Sequence, residues 1–365
     1  MSEKIKLGDY VSIKTGKLDA NASKTNGQYP FFTCSIQPLR IDNYSYDCEC
    51  VLVAGNGDLN VKYYNGKFDA YQRTYIIESI NKKVMNNRYL YYLINSKIEH
   101  LRNNSIGGVI KYIKLGNLTN IEFNKIDIQK QEECVNLLDK MQEIIDIRKT
   151  QIEKLDELIK SQFVEMFENQ KFDLKTLNEI SVIKGEYGSG ASAGEFIEGQ
   201  PRYVRITDIQ EDGRLNNQSM ASPKNEDNID KYILRYGDVL FARTGATVGK
   251  TYKYNENDGY CIYAGYCIRF RIDINICNPD YIFIYTKTDN YKKWVENKQR
   301  VVAQPNINAK EYGNDLKIPI PPIELQNEFA DFVKQIDKQK FEIQKSLEEM
   351  QLLQESLMNK YFGEM

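Results

Sequence analysis

The feature that most constrains this chain is an internal repeat of one segment at a constant offset of 195 residues. Seven positions between 126 and 167 are identical to the positions 195 residues later, and the apolar pattern recurs with them. This repeat predicts an order of globular part, long helix, globular part, long helix. The identical residues are Ile128, Gln131, Glu133, Glu153, Leu158, Ser161 and Phe167, which match Ile323, Gln326, Glu328, Glu348, Leu353, Ser356 and Phe362.

Both repeated segments have the spacing of helices that pack against another helix. Apolar residues in the first copy alternate three and four positions apart, as in a heptad seam. The second copy has polar interruptions at Lys340 and Gln354. A helix over 129–167, which contains neither proline nor glycine, would span about 55 Å. The predicted packing residues are Leu138, Met141, Ile145, Ile152, Leu155, Ile159, Val333, Ile336, Leu347 and Met350.

A length of 365 residues predicts two domains rather than one core. Short runs of β-branched and aromatic residues between Gly and Asn predict strands, and RYLYYLINSKIEHLR predicts one helix among them. Three prolines in IPIPP predict an extended approach to a helix that begins at about Glu324. We therefore place domains at 1–128 and 171–322, and the helices that follow them at 129–170 and 323–365.

Several classes of enzyme are disfavoured. His100 is the only histidine, so a Ser/His/Asp or Cys/His site has almost nothing to use. The segment GATVGKT has three residues between Gly245 and Gly249, whereas a phosphate-binding loop needs four. The segment NPDY at 278–281 is better explained as a turn that starts a helix than as a methyltransferase motif. We predict a chain without catalytic activity and without a bound cofactor or metal.

Cysteine usage and hydropathy suggest the compartment. Seven cysteines without a CxxC pair predict reduced thiols rather than disulfides or a zinc site. No segment approaches the apolar length of a membrane span, and the first residues lack the apolar stretch of a secretion signal. We expect a cytoplasmic protein that has no membrane partner.

The charge distribution separates the helices from the globular parts. The net charge is −2, but the segments 126–170 and 323–365 together carry −9, which leaves about +7 for the remainder. Basic globular parts are suited to a polyanion and acidic helices to protein partners. The alternative is that Glu is frequent in these helices because it favours helix formation.

Several loops combine Gly, Arg or Lys, Asn or Gln, and Tyr. Arginine and the amide side chains match the edges of guanine and adenine, and glycine lets backbone amides approach phosphate. Ordinary β-turns have a similar composition, and that explanation stays open. The segments are GNGDLNVKYYNGKFDAYQR, EYGSGASAGEF, PRYVRITDIQEDGR, ARTGATVGK and QRVVAQPNIN.

Four phrases resemble the DNA specificity subunit of type I restriction-modification systems. They are YVRITDIQEDGRL at 203–215, GDVLFARTGATVGK at 237–250, PIPPIELQNEFADFV at 319–333 and LDELIKSQFVEMF at 155–167. The resemblance covers essentially the whole chain and is stronger in the second half. In the first domain AGNGDLN at 54–60 stands in place of ARTGATV, and the YVRITDI phrase is missing.

The resemblance implies an α+β protein with two α/β target-recognition domains in tandem. Each domain is followed by a long helix, and the two helices pack as an antiparallel coiled coil. Each domain would read one half of a split sequence in double-stranded DNA. Two modification (methyltransferase) subunits would dock on this chain, and restriction (translocase/endonuclease) subunits can join them. Methylation and ATP-dependent cleavage would then reside in these partners, together with S-adenosylmethionine, ATP and Mg.

The same resemblance points to candidate DNA-binding residues. Those of the second domain lie in family-like phrases, whereas those of the first are placed only by position. An alternative function is a coiled-coil adaptor that binds protein without direct DNA recognition, and salt-dependent binding to random duplex DNA would distinguish the two. The candidates are Arg243, Thr244, Gly245, Lys250, Arg205 and Thr207 in the second domain, and Asn56, Gly57, Lys62, Gln72 and Arg73 in the first.

Overall fold

The computed structural model describes the chain from residue 4 to residue 363 apart from three short gaps. Among the described residues, no helix is both long and apolar enough to cross a lipid bilayer. Part of the predicted DNA-binding segment QRVVAQPNIN, residues 300–304, lies outside the described residues. The described ranges are 4–168, 170–225, 228–299 and 305–363.

The chain divides into two compact units, each described by itself. The first consists of Met1–Gln151 together with Ile343–Met365, and the second of Ile152–Glu342. These divisions fall inside the two long helices rather than at their ends, because each helix contributes one part to each unit.

In the part of the first unit that the structure describes, a six-stranded sheet is covered by short helices. The sheet has the order β2-β7-β5-β6-β3-β4, in which only β3 and β6 run parallel, and β1 pairs with β8 in a separate antiparallel ribbon. The strands are β1 Lys4–Lys6, β2 Val11–Thr15, β3 Tyr29–Phe32, β4 Leu39–Ile41, β5 Tyr46–Ala54, β6 Val61–Ala70, β7 Thr74–Ser79 and β8 Glu122–Asn124. The short helices are α1 Asn87–Ser96, α2 Ile98–Asn103 and α3 Leu115–Thr119.

The central strand β5 is apolar on both faces because both faces of the sheet are covered. Val51 and Val53 point to the core that contains the helices, whereas Cys50 and Leu52 point to a second core under β3 and β6. All four side chains are fully buried. A strand with both faces covered has a continuous apolar run instead of an alternating pattern, as CVLVA does here.

The second unit contains a four-stranded antiparallel sheet with the order β10-β17-β14-β15. Three two-stranded ribbons accompany it among the described residues: β11 with β13, β12 with β16, and β9 with β18. The strands are β9 Leu174–Thr176, β10 Ser181–Tyr187, β11 Ser192–Glu195, β12 Arg202–Val204, β13 Ala221–Lys224, β14 Asp238–Ala242, β15 Thr251–Lys253, β16 Cys261–Tyr263, β17 Cys267–Ile272 and β18 Lys317–Pro319. The short helices are α5 Ile229–Tyr232, α6 Pro279–Tyr285, α7 Asp289–Gln299 and α8 Ala309–Asp315.

The two units repeat a common frame. The order β10-β17-β14-β15 in the second unit matches β2-β7-β5-β6 in the first, and β14 also buries both faces. The single helix predicted from RYLYYLINSKIEHLR is instead two helices, α1 and α2. Lys97, the residue between them, has a non-helical φ of −100° and ψ of 8°. The corresponding segment of the second unit is likewise divided into α6 and α7.

Two long helices follow the short elements, as the repeat predicts. They are α4 Ile128–Phe163, which continues as a π-helical turn at Val164–Glu168, and α9 Ile323–Phe362. In the first unit the beginning of α4 packs with the end of α9, and in the second unit the end of α4 packs with the beginning of α9. The pairing is therefore antiparallel, and the predicted fold class is confirmed.

The predicted packing residues of the two helices face inward. The polar interruptions are paired: the Lys340 Nζ lies 2.5 Å from an Asp156 carboxylate oxygen, and the Gln354 amide donates to the Gln142 side-chain oxygen at 3.0 Å. Polar pairs of this kind fix the register of facing helices. Seven predicted residues are buried, namely Leu138, Met141, Ile145, Ile159, Val333, Ile336 and Leu347, and three are half-buried, namely Ile152, Leu155 and Met350.

The repeated glutamines anchor the start of each long helix. Gln131 is buried, its side-chain oxygen accepts from the Asn86 backbone N–H at 2.9 Å, and its amide donates to the Ile126 carbonyl. Gln326 accepts from the Asn278 N–H at 2.8 Å and donates to the Pro321 carbonyl at 2.7 Å. Asn86 and Asn278 are the N-caps of α1 and α6. The identity of the two glutamines thus has a structural cause, which is the attachment of a short helix to a long one.

The repeated phenylalanines complete the two cores. In the first unit the Phe362 ring lies 5.2 Å from the Tyr89 ring of α1. In the second unit the Phe167 ring lies 5.0 Å from Tyr281 of α6 and 5.3 Å from Phe329 of α9. The core of each unit therefore contains the phenylalanine at the end of one long helix together with residues from the beginning of the other.

We predict that Gln326→Leu lowers the free energy of unfolding by about 2 to 3 kcal/mol. The substitution removes the acceptor for the Asn278 N–H and the donor to the Pro321 carbonyl, and these buried groups are then left without partners. Urea denaturation followed by circular dichroism measures the loss. The control is Gln335→Leu, which changes an exposed glutamine of the same helix. Equal stability of the two variants would contradict the anchoring role.

Candidate nucleic-acid interface

Four of the five candidates in the first unit converge at the end of β5. Asn56 and Gly57 lie in the loop after β5, and Gln72 and Arg73 immediately precede β7. The Gly55 N–H donates to the Arg73 carbonyl at 2.8 Å. This hydrogen bond joins the two loops, which place Gly57, Gln72 and Arg73 at the surface.

A third segment holds the same loop from the other side. The Gly57 N–H donates to the Lys111 carbonyl at 2.9 Å, and the Ile113 N–H donates to the Gly55 carbonyl at 2.9 Å. Gly55 has no space for a side chain, since a Cβ there would lie 2.4 Å from the Arg73 carbonyl oxygen. We name residues 55–57, 72–73 and 111–113 the first cradle.

The second unit repeats this arrangement with the same backbone hydrogen bonds. The Arg243 N–H donates to the Tyr266 carbonyl at 3.1 Å, the Gly245 N–H to the Pro305 carbonyl at 3.1 Å, and the Ile307 N–H to the Arg243 carbonyl at 2.9 Å. Residues 243–245, 265–266 and 305–307 form the second cradle. Both cradles also contain one antiparallel bridge, Asn56 with Tyr112 and Thr244 with Asn306.

The two cradles have different side chains on this shared backbone. In the second, the Arg243 guanidinium lies 4.8 Å above the Tyr187 ring, and its Nε donates to the Asn306 side-chain oxygen at 3.3 Å. Tyr187 and Tyr266 are exposed beside it. In the first cradle Gly55 takes the place of Arg243, and Arg73 takes that of Tyr266. Each cradle therefore presents one arginine, but from a different strand end.

The loop between the paired strands is two residues longer in the second unit. It covers 55–60 between β5 and β6, and 243–250 between β14 and β15. The strand registers pair Leu52 with Lys62 and Leu240 with Tyr252, so the counterpart of Lys62 is Tyr252. The Lys62 Nζ is directed to the Asn60 side-chain oxygen, and burial lowers the pKa of this ammonium group. Lys62 thus lies behind the loop rather than at its surface.

Arg205 is committed to an internal ion pair. Its Nε and Nη2 donate to the two carboxylate oxygens of the fully buried Asp208 at 3.0 and 2.7 Å, and Nη2 also donates to the Ser219 carbonyl. The hydrogen bonds to Asp208 raise the pKa of this guanidinium. Thr207 is exposed on the turn between these two residues. The structure therefore makes Arg205 a residue that holds the turn, with Thr207 presented at its surface.

Lys250 and Lys287 form a basic pair, of which only Lys250 was a predicted DNA-binding residue. Lys250 forms a 2.8 Å ion pair with Glu211, a glutamate that is almost fully exposed. The Lys287 Nζ donates to the Glu211 backbone carbonyl at 3.3 Å and lies 4.7 Å above the Phe283 ring. Burial lowers the pKa of Lys287 to about 8. Lys287 lies two residues after the end of α6 and outside every predicted DNA-binding segment. Its position beside Glu211 follows only from the fold.

Other surface residues of the cradles were also missed. Tyr266, Lys111 and Tyr112 lie outside the predicted DNA-binding segments. Tyr187 lies inside one of them, EYGSGASAGEF, but was not among the candidate residues. One signal was available for Tyr266, because it directly precedes β17 as Arg73 directly precedes β7. The arrangement can hydrogen bond to base edges and phosphates through arginine and amides, and it can stack through tyrosine.

Sequence comparison finds relatives of this chain. A family model described as type I restriction modification DNA specificity domain matches residues 2–157 and 169–352. The type I restriction enzyme EcoDI specificity subunit of Escherichia coli is 25% identical, over 98% of this chain and 87% of that protein. The MjaVIII specificity subunit of Methanocaldococcus jannaschii is 22% identical, over 98% of this chain and 91% of the relative.

Structure comparison finds the same fold. The crystal structure of the S subunit of a type I restriction-modification system from M. genitalium superposes with a TM-score of 0.68 at 16% identity, covering 100% of this chain and 96% of that one. A second solved chain comes from a structural study of complex assembly and conformational transition in the type I R-M system. It superposes with a TM-score of 0.56 at 16% identity, covering 99% of this chain and 97% of that one.

We predict that Arg205→Ala and Arg243→Ala differ in their effect on stability. Arg205→Ala leaves the buried Asp208 carboxylate without its guanidinium and costs about 2 kcal/mol. Arg243→Ala removes a half-exposed stack on Tyr187 and costs less than about 1 kcal/mol. Thermal unfolding of the two variants measures the difference. A larger loss from Arg243→Ala would reverse the assigned roles.

We predict that Lys287→Met raises the melting temperature at pH 7 by a few degrees, and that this gain disappears toward pH 10. Below pH 8 both the folded and the unfolded chain hold the proton, so the cost of burying the ammonium is present in full. Between about 8 and the usual 10.5 the folded chain releases the proton while the unfolded chain keeps it, so the cost falls steadily with rising pH and is gone above about 10.5. Lys293→Met, which changes an exposed lysine of α7, is the control. A gain independent of pH would exclude the buried charge as its cause.

Proposed function

Because this chain belongs to the family of type I restriction-modification DNA specificity subunits, we propose that its two units read the two halves of a bipartite, asymmetric target in double-stranded DNA. The observation that carries the proposal is the pair of cradles. One set of backbone hydrogen bonds recurs in both units and supports different exposed side chains. Two units that read different half-sites require a shared backbone that carries different exposed side chains.

The side chains suggest how each half is read. The first cradle presents the Asn56 amide, the Gln72 amide and the Arg73 guanidinium, groups that match the edges of adenine and guanine in the major groove. The second presents Arg243 supported by Tyr187, with Tyr266 beside it. A guanidinium stacked on a ring is oriented before binding, which favours a bidentate contact with guanine.

The long helices set the distance between the two half-sites in this proposal. Helices α4 and α9 have 36 and 40 residues, and at about 1.5 Å per residue each exceeds the roughly 34 Å of one DNA turn. Both run without interruption through the positions where the chain divides into units. The bases between the half-sites then go unread, and helix length determines their number.

The helices also present equivalent surfaces for partner subunits. Four of the seven repeated residue pairs are exposed in both copies, including Leu158 and its counterpart Leu353. An exposed leucine that recurs with its neighbours is suited to a partner that binds twice. We propose that two modification subunits dock at these surfaces and that restriction subunits can join them. The other exposed pairs are Glu133 with Glu328, Glu153 with Glu348, and Ser161 with Ser356.

The chemistry belongs to these partners in the proposal. Methylation and ATP-dependent cleavage would be carried out by the modification and restriction subunits, which bind S-adenosylmethionine, ATP and Mg. This chain would then act by placing them at a chosen sequence. The family match and the paired cradles favour this function over the alternative of an adaptor that binds only protein.

We predict the outcome of mapping methylated adenines across the genome of cells that carry this gene and its partners. The intact gene should yield one bipartite asymmetric motif, and deletion of the gene should remove it. Four residues inserted after Thr150 add about one helical turn to α4, and they should lengthen the unread gap while both half-sites stay the same. Arg243→Ala is the matched variant, which should relax one half-site and leave the gap unchanged.

Other results would contradict the proposal. A motif that survives deletion of the gene would assign recognition to another protein. Altered half-sites in the insertion variant would mean that the helices do more than set the spacing.

A further inference from the structure

A short turn beside the first cradle carries an exposed apolar tip. Between α2 and α3, Ile106 and Tyr112 exchange backbone hydrogen bonds at 2.9 and 2.8 Å, so that residues 107–111 form a closed turn. Val109 at its tip is fully exposed, and Ile110 is 62% exposed. Single exposed apolar residues are common, but two consecutive ones at the tip of a closed turn form a small apolar contact surface.

The turn has a defined backbone. Gly107 has a φ of +118°, and a Cβ at this position would lie 2.5 Å from the Ile110 carbonyl oxygen, so only glycine fits. At its other end the Lys111 carbonyl accepts from the Gly57 N–H, and Ile113 is buried and hydrogen bonded to Gly55. The tip is therefore attached directly to the loop that carries Asn56.

The surroundings of the tip match a nucleic acid. Lys111 and Lys114 are exposed on the same segment, and Arg73 is exposed on the adjoining part of the cradle. Cations around an apolar tip favour a polyanionic partner, because lysine and arginine can reach phosphates on either side while the tip points between them.

The chemistry of DNA limits what an apolar tip can read. Base edges present hydrogen-bond donors and acceptors, with one apolar group among them, the 5-methyl of thymine in the major groove. Val and Ile carry methyl groups on the β-carbon, close to the backbone, and are suited to contact at a groove surface. Each buried methyl contact excludes water from two apolar groups.

We propose that Val109 and Ile110 contact thymine methyl groups in the first half-site, so that this turn determines specificity beside the polar residues of the cradle. The inference rests on the proposed function. It adds a residue pair that reads an apolar feature, which Asn56, Gln72 and Arg73 do not.

The test uses the complete chain assembled with its modification subunits and two randomised duplex pools. The pools are identical except that deoxyuridine replaces thymidine in the second, which removes every 5-methyl group and keeps the base pairing. With wild-type protein, at least one thymine of the first half-site should be selected, and its preference should fall about fourfold for each contacted methyl in the deoxyuridine pool. The Val109→Ala/Ile110→Ala variant should show the reduced preference in both pools.

Two internal controls accompany this variant. The second half-site should be selected equally by all proteins. Ile80→Ala removes a comparably exposed side chain, at 66%, from the opposite end of β7, and it should behave as the wild type. Equal melting temperatures of the variants show that exposed positions were changed without loss of folding.

The possible results distinguish a failure of this inference from a failure of the proposed function. If the wild type selects a bipartite motif but Val109→Ala/Ile110→Ala keeps the same preferences and the same difference between pools, the inference is overturned and the proposed function stands. That result is also expected if the tip binds protein instead. If the wild-type complex selects no sequence from either pool, the proposed function fails and this inference fails with it.

Discussion

The structure depends on one recurring contact, the burial of a helix-terminal phenylalanine against the first short helix of a unit. Phe362 packs on Tyr89 in the first unit, and Phe167 packs on Tyr281 in the second. Neither globular part supplies this residue from its own strands. Since an aromatic side chain of this size buries a large apolar area, the cores cannot close without the antiparallel helices. Helix pairing and domain folding are therefore parts of one interaction.

The glutamine anchors give that interaction its direction. Gln131 and Gln326 join the start of each long helix to the N-cap of a short helix, so the sheets are attached to the helices through buried hydrogen bonds as well as through apolar contacts. Buried amides tolerate little displacement, because a lost partner leaves an unsatisfied group. The cradles at the strand ends are thereby carried on a frame that is fixed at the opposite end of the unit. Rigid support of this kind suits a surface that must present side chains to bases in a set geometry.

Much of the fold could be predicted from the sequence, because its signals are local or periodic. The helices and their apolar stripe follow from the spacing of residues such as Leu138, Met141 and Ile145, and the prolines before Ile323 mark the start of α9 within one residue of the prediction. The divided helix at Lys97 was missed, since no proline or glycine marks the break. Strands were recognised as a class, but their register was not.

The candidate interface was harder to predict, because the pairing register of the strands determines which of its residues lie together. The contact of Gly55 with Arg73 and of Gly57 with Lys111 depends on which strand ends meet, and residue type alone does not specify this. Arg205 was predicted to bind DNA, but its guanidinium donates hydrogen bonds to Asp208 three residues later. The segment that contains Tyr187 was predicted, but its tyrosine was not singled out, and the exposed pair Val109 and Ile110 was not predicted at all, since tyrosine and β-branched residues are usually assigned to packing.

The division of the chain into units also bears on the order in which the protein is made. The second unit is one continuous stretch, Ile152–Glu342, whereas the first needs Ile343–Met365 to close its core around Tyr89. During synthesis from the N-terminus, the stretch that ends at Gln151 must therefore wait with part of its apolar surface uncovered until about 200 further residues, through Phe362, have left the ribosome. The domain translated second can finish folding before the one translated first.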